Sequence, residues 1–181
     1  MNKNKYIILD RDGTLIKHIP YLFNPDFVEL EPGVKETLSY FKEKGFNLFL
    51  HTNQSGIERG FFNIEDAIAC NNKLIELLGL GNTIFDKICI APNLKEIVTN
   101  YRKPSPLFAN EIIKENNITK EQLFYIGDSI CDLQTALNIG CAGLGIKSQD
   151  CSLTDFVLTN SSLKIFDSWF DIKNYFKQMN K

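Results

Sequence analysis

Paired cysteines, long apolar runs and surplus basic charge are all missing from this chain. Its five cysteines, Cys70, Cys89, Cys131, Cys141 and Cys151, are scattered and never spaced as Cys-x-x-Cys. That speaks against a disulfide framework and predicts free thiols in a reduced, cytoplasmic compartment. The basic start MNKNK is followed by YIIL, an apolar run far too short for a signal peptide or a bilayer span, and no other segment is long enough to span a bilayer. No membrane partner is expected. With 20 Lys and Arg against 22 Asp and Glu, the net charge is −2, which argues against nonspecific binding to nucleic acid. No repeat, low-complexity tract or linker divides the 181 residues, so one domain over 1–181, monomeric, is expected.

What is present is an alternation of short apolar runs and helical periodicity. Tyr6 to Leu9, Phe46 to Leu50, Lys87 to Ile90, Leu123 to Ile126, Gly143 to Ile146 and Phe156 to Leu158 read as strands. Val34 to Lys44, Ile64 to Leu78, Pro106 to Glu115, Asp132 to Ile139 and Phe166 to Phe176 read as helices, three of them followed by Gly45, Gly79 or Gly140. Trp169 in the last is expected to anchor packing. Strands alternating with helices predict an α/β fold, a Rossmann-like three-layer α/β/α sandwich with a central parallel sheet. In such sheets function gathers at the C-terminal ends of the strands.

Polar groups stand at those ends. YIILDRDGTLI closes its strand on Asp10 and Asp12, which strand alternation can send to the same side. Two acids so close need a compensating cation or hydrogen-bond donor, and Mg²⁺ suits an oxygen-rich site of this kind. LHTNQSG supplies Thr52 and Asn53, short polar groups of the type that bind phosphate at strand-to-helix turns. YRKPSP places Arg102 and Lys103 before Pro104, and FYIGDSICD ends a strand on Asp128 with Asp132 one helical turn later. Each stretch has a plainer reading: a turn, a loop, a solvated basic pair, a helix N-cap at Asp128.

In this order, strand-Asp-x-Asp-Gly-Thr, strand-Thr-Asn, Lys-Pro and strand-Gly-Asp-x₃-Asp resemble the four motifs of the haloacid dehalogenase-like phosphatases. LDRDGTLI, TNQSGIERG, RKPSP and GDSICDLQTA are similar to the branch of histidinol-phosphate and D-glycero-D-manno-heptose 1,7-bisphosphate phosphatases. The resemblance implies Asp10 as nucleophile, Asp12 as general acid and base, and Thr52 and Lys103 as holders of the phosphoryl group. It further implies Mg²⁺ on Asp10, Asp128 and the backbone carbonyl of Asp12, Asn53 and Arg102 at the substrate, and Asp132 in support. The gaps between motifs hold no cap domain, only a loop over Lys17 to Glu31, with His18, Tyr21 and Phe23, and single helices. The implied activity is a phosphoric monoester hydrolase acting through an aspartyl-phosphate on a small phosphorylated sugar. Heptose 1,7-bisphosphate stands first, its anomeric phosphate the bond expected to break, with histidinol phosphate as runner-up.

In one feature the chain departs from that branch. The Cys-x-His and Cys-x-Cys zinc loop of its relatives corresponds here to Cys89, Ala91, Thr99 and Tyr101, a single ligand, so no zinc is expected. From another class, receiver domains also combine Asp, Mg²⁺, Thr and Lys on a parallel sheet. Their acceptor sits on the third strand, away from the acidic pair, and a lasting phospho-switch has no use for an acid/base such as Asp12.

Overall fold

The computed structural model describes residues 6–94, 100–147 and 152–179. Its strands are β1 (Tyr6–Leu9), β2 (Asn47–Asn53), β3 (Lys87–Ala91), β4 (Leu123–Gly127), β5 (Ala142–Ile146) and β6 (Leu163–Phe166). They form one six-stranded sheet in the order β3-β2-β1-β4-β5-β6, and every pairing is parallel. The helices are α1 (Val34–Glu43), α2 (Ile64–Leu78), α3 (Leu107–Glu115), α4 (Ile130–Ile139), α5 (Ser152–Leu158) and α6 (Trp169–Met179).

Strand alternation divides the core in two. Ile7 and Leu9 pack with α1, α2 and α6 on one face of the sheet, and Ile8 packs with α3, α4 and α5 on the other. All three side chains are fully buried, which is why the first strand reads as an unbroken apolar run. Each such burial stabilises the fold by about 1.5–3 kcal/mol. The expected three-layer α/β sandwich is therefore the observed one.

Register sets the position of the functional edge. Leu9 lies opposite Leu50 on β2 and Ile126 on β4, and the Asp10 N–H donates to the Ile126 carbonyl at 2.9 Å. The chain runs from β1 outward through β2 and β3, then returns to the other side of β1 for β4 to β6. Its topological switch point is thus the β1/β4 junction, where a parallel sheet opens a crevice beyond its strand ends. Among the described residues, the β1–α1 connection holds only a 3₁₀ turn at Pro25–Phe27 and the bridges Asp12–Ile16 and Ile16–Leu30. None of these builds a cap.

The structure corrects the C-terminal third. Phe156 to Leu158, expected as a strand, is the end of α5, and the edge strand is Leu163–Phe166. A short apolar run does not by itself distinguish strand from helix. Here Leu153 and Val157, four residues apart, both face the α3/α4 core, while Leu163 to Phe166 pair with Gly143 to Ile146. The closing helix starts at Trp169 rather than Phe166, with the Asp171 N–H donating to Ser168 Oγ at 3.3 Å. Trp169 is buried, and its indole N–H donates to the Thr14 carbonyl at 2.8 Å, tying α6 to the turn after β1.

No helix among the described residues is long and apolar enough to cross a membrane. Cys70, Cys89, Cys131 and Cys141 are free thiols; Cys151 lies outside the described residues, as does Thr99 of the expected zinc-loop positions.

Candidate active site

At the switch point three carboxylates converge. Oxygens of Asp10, Asp128 and Asp132 lie within 4.8 Å of one another. Asp10 ends β1, Asp128 follows β4, and Asp132 sits in the first turn of α4. The N-cap of that helix is Ser129, whose side chain forms a capping box with Asp132. Asp128 is thereby left to face Asp10. Gly13 makes the approach possible: its φ is +84°, and a Cβ there would stand 2.2 Å from Asp128 Oδ2. Thr14 Oγ1 lies 3.1 Å from Asp10 Oδ2 and 3.2 Å from Asp128 Oδ1, so its one proton serves one carboxylate at a time.

Lys103 is the cation of this cluster. It is buried, donates from Nζ to Asp10, and donates to Asp132 Oδ1 at 2.6 Å. Burial works against its charge, but Asp10 and Asp132 outweigh that and hold the ammonium above its ordinary range. One ammonium against three carboxylates leaves two negative charges in excess. The consequence appears in the acids: burial pushes Asp10 up to about 8 against the pull of Lys103, with Asp132, Asp128 and Asp12 adding to the rise. Burial and Asp132 raise Asp128 to about 6. A hard divalent cation fits this donor set, since carboxylate oxygens are its preferred ligands and its charge matches the excess. Asp132 is already engaged by Lys103 and by Ser129 Oγ at 2.6 Å, so Asp10 and Asp128 are the side chains best placed to hold such an ion.

Asp12 is held apart from the cluster. Its Oδ2 accepts from Thr52 Oγ1 at 3.2 Å, Gln54 Nε2 at 2.8 Å and Arg11 Nε at 3.1 Å, and its Oδ1 accepts from Arg11 Nη2 at 3.0 Å. Gln54 also donates to Thr52 Oγ1 at 2.8 Å. Arg11 falls on the Ile7 and Leu9 side of the alternation, is fully buried, and donates through Nη1 to Asn71 Oδ1 on α2 at 2.9 Å.

The loop carrying Lys103 is fastened from β2. Asn53, expected at the substrate, uses both ends of its amide on the Lys103 main chain, accepting from the N–H at 2.9 Å and donating to the carbonyl at 3.2 Å. His51 Nε2 lies 2.7 Å from the Tyr101 carbonyl, and its Nδ1 lies 2.9 Å from the Tyr125 hydroxyl. A carbonyl only accepts, so Nε2 carries the proton and Nδ1 accepts from Tyr125. Burial, with help from Lys103, lowers His51 to about 3 and keeps it neutral. Arg102 donates through Nη1 to the Asn93 carbonyl at 3.1 Å, while its Nε is buried with no partner among the described residues.

Two clefts open beside the site, one at Asp128 and one at Asp12. The larger, about 960 Å³, runs past Gly13, Asp128 and Ser129 to Lys147; the smaller, about 290 Å³, lies between Asp12, Asn53, Gln54 and Tyr21. His18 lines both, and Tyr21 meets Phe61 edge to face at 4.8 Å on the rim. The structure thus brings Asp10, Asp12, Thr52, Lys103, Asp128 and Asp132 to one strand edge, with Asn53 and Arg102 beside Lys103. Sequence reasoning assigned no role to Arg11, Gln54, His51, Asn71 or Ser129. An arginine between two apolar-strand acids carried a signal, because alternation sends it to the buried face. Asn71 carried none.

Comparison with known proteins agrees with this geometry. The family model for haloacid dehalogenase-like hydrolases matches residues 13–146. The D-glycero-beta-D-manno-heptose-1,7-bisphosphate 7-phosphatase of Helicobacter pylori is 34% identical over 99% of this chain and 97% of its own length. A Campylobacter jejuni protein named for the alpha anomer of the same bisphosphate is 28% identical over 97% and 98%. Among solved structures, the D,D-heptose 1,7-bisphosphate phosphatase from B. bronchiseptica, complexed with magnesium and phosphate, shares the fold with a TM-score of 0.84 at 24% identity, covering 97% of this chain and 99% of that one. With its strand-end residues assembled at the switch point of this sheet and the family match extending across most of its length, the chain belongs to the haloacid dehalogenase-like hydrolases.

Proposed function

We propose that the protein is a Mg²⁺-dependent phosphatase of the cytoplasm that hydrolyses D-glycero-D-manno-heptose 1,7-bisphosphate at its 7-phosphate. The chemistry rests on one observation above others: Asp10, at the end of β1, lies between Lys103 and Thr14 in a cluster of three carboxylates and one ammonium. The substrate rests on the full-length relatives, both named 7-phosphatases. Their names replace the expectation that the anomeric phosphate is cleaved; it is the phosphate retained.

Asp10 attacks phosphorus in line, forming an aspartyl-phosphate as the bond from phosphorus to the sugar oxygen breaks. Asp12 gives its proton to the departing oxygen, then takes one from the water that attacks phosphorus, and the Asp10–phosphorus bond breaks to release phosphate. Asp10, Asp128 and the Asp12 backbone carbonyl would hold Mg²⁺, which would supply positive charge against the phosphate dianion. Lys103 and Thr52 meet the phosphoryl oxygens. The orphaned Nε of Arg102 has a donor ready for an anionic substrate group. Asp132 holds Lys103. No zinc is assigned: of Cys89, Ala91, Thr99 and Tyr101, the positions that correspond to the zinc loop, only Cys89 carries a ligand group.

The test is phosphate release with Mg²⁺ from both heptose 1,7-bisphosphate anomers, histidinol phosphate, hexose phosphates and a 3′-phosphorylated oligonucleotide, with Asp10→Asn as control. A preference for one bisphosphate anomer of about a hundredfold in kcat/KM, roughly 2.7 kcal/mol, is expected. Level activity across the panel would remove the substrate assignment, and an active Asp10→Asn would remove the mechanism.

A further inference from the structure

Arg11 and Asn71 lie outside the reacting groups, yet both are buried, and together they form a chain from α2 to Asp12. Asn71, in the middle of α2, directs its Oδ1 at Arg11 Nη1 at 2.9 Å, and the Ala67 carbonyl stands 3.5 Å from the same nitrogen. With that corner fixed, the remaining edge of the guanidinium presents Nε and Nη2 to the two oxygens of Asp12 at 3.1 and 3.0 Å. A planar fork dictates the orientation of the carboxylate it grips, whereas a point charge would not. Asp12 is also the one ion-pair partner of Arg11 among the described residues.

We propose that Asn71 is a positioning residue for the general acid: it sets the plane of the Arg11 fork, and the fork sets the place from which Asp12 serves the leaving group. The role rests on the phosphatase reading. In the first step the bond from Asp10 to phosphorus forms, the bond from phosphorus to the sugar oxygen breaks, and the Asp12 proton passes to that oxygen. A basic alkoxide needs this proton in place as the bond breaks. Acetate leaving from acetyl phosphate does not. A misplaced Asp12 therefore lowers kcat/KM, which reports formation of the aspartyl-phosphate and not the hydrolysis common to both substrates, unequally for the two, while a loss of folded protein lowers both in proportion.

The experiment compares kcat/KM of wild type, Asn71→Ala and Arg11→Lys on acetyl phosphate and on the alkyl phosphate that wild type turns over fastest. General acid catalysis contributes about 10²- to 10⁴-fold, so partial misplacement in Asn71→Ala is expected to lower kcat/KM on the alkyl phosphate about tenfold or more, and on acetyl phosphate less than about threefold. Hydrolysis of the aspartyl-phosphate, in which Asp12 is the base for both substrates, does not enter this ratio. Arg11→Lys keeps the charge without the fork, is expected to show the same imbalance, and decides the matter if Asn71→Ala does not fold. Equal fractional losses on both substrates, or no loss, would overturn the role. Wild type inactive on every phosphate ester would overturn the phosphatase reading itself, and this role with it.

Discussion

Asn53 grips Lys103 by the main chain at both ends, its Oδ1 accepting from the Lys103 N–H at 2.9 Å and its Nδ2 donating to the Lys103 carbonyl at 3.2 Å. The side chain at the end of β2 thereby fixes where the loop places its ammonium beside Asp10. Replacing Asn53 with Ala removes both bonds, with an expected loss of about 1–3 kcal/mol in transition-state stabilisation. Steady-state kinetics should show it mainly in kcat. A change confined to KM would instead mark Asn53 as a substrate contact.

Gly13 and Asp128 are in conflict for one space. An alanine at 13 would need a left-handed backbone and would place Cβ 2.2 Å from Asp128 Oδ2, driving the carboxylate away from Asp10. Gly13→Ala is expected to fold and to lose at least about a hundredfold in activity, because charge neutralisation at the phosphate is worth several kcal/mol. Titration with Mg²⁺ should reveal weakened activation; an unchanged Mg²⁺ dependence would separate Asp128 from the metal.

Stability of the metal-free protein should fall on the alkaline side of neutrality. Asp10 and Asp128 sit at about 8 and about 6 when folded against an ordinary 3.8. The native state therefore holds more protons than the unfolded one between these limits, and the stability this gives is lost as pH rises through them. Thermal unfolding in EDTA should show a lower Tm at pH 8 than at pH 6.5, the unfolding free energy falling by up to about 1.4 kcal/mol per pH unit through Asp10. Mg²⁺ should restore more at pH 8 than at pH 6.5, since ionised Asp10 is the form that binds it. Equal Mg²⁺ stabilisation at both values would contradict the raised Asp10.

Below pH 6.5 His51 works against the two acids. It is held neutral, at about 3 against an ordinary 6.5, so at this group the unfolded chain binds the extra proton, and its share of the stability is lost as pH falls from 6.5 toward 3. His51→Ala would also leave the Tyr125 hydroxyl and the Tyr101 carbonyl without the partner each has now. A loss of about 2–4 kcal/mol in urea unfolding at pH 7 is expected. The gap in stability between variant and wild type should narrow from pH 7 to pH 5, and parallel pH curves would clear His51 of any such share.

The sequence by itself determined the acids at the strand ends and the parallel α/β class, because apolar runs buried on both faces and polar groups at their C-terminal ends are local patterns. YIIL became β1, and Asp10, Thr52 and Asp128 stand where those patterns placed them. Tertiary structure decided what local pattern leaves degenerate. Phe156 to Leu158 is helical because Leu153 and Val157 share one core face, and LKIF is the edge strand because β5 offers it a partner. Asn53 and Lys103, 50 residues apart, Arg11 and Asn71, 60 apart, and His51 and Tyr101, again 50 apart, meet only when the sheet closes. Which carboxylates cluster and which faces a guanidinium is settled by distances of a few ångströms between segments that no local pattern relates. Hydrogen bonds and charges are short-ranged compared with the chain that must fold to bring them together.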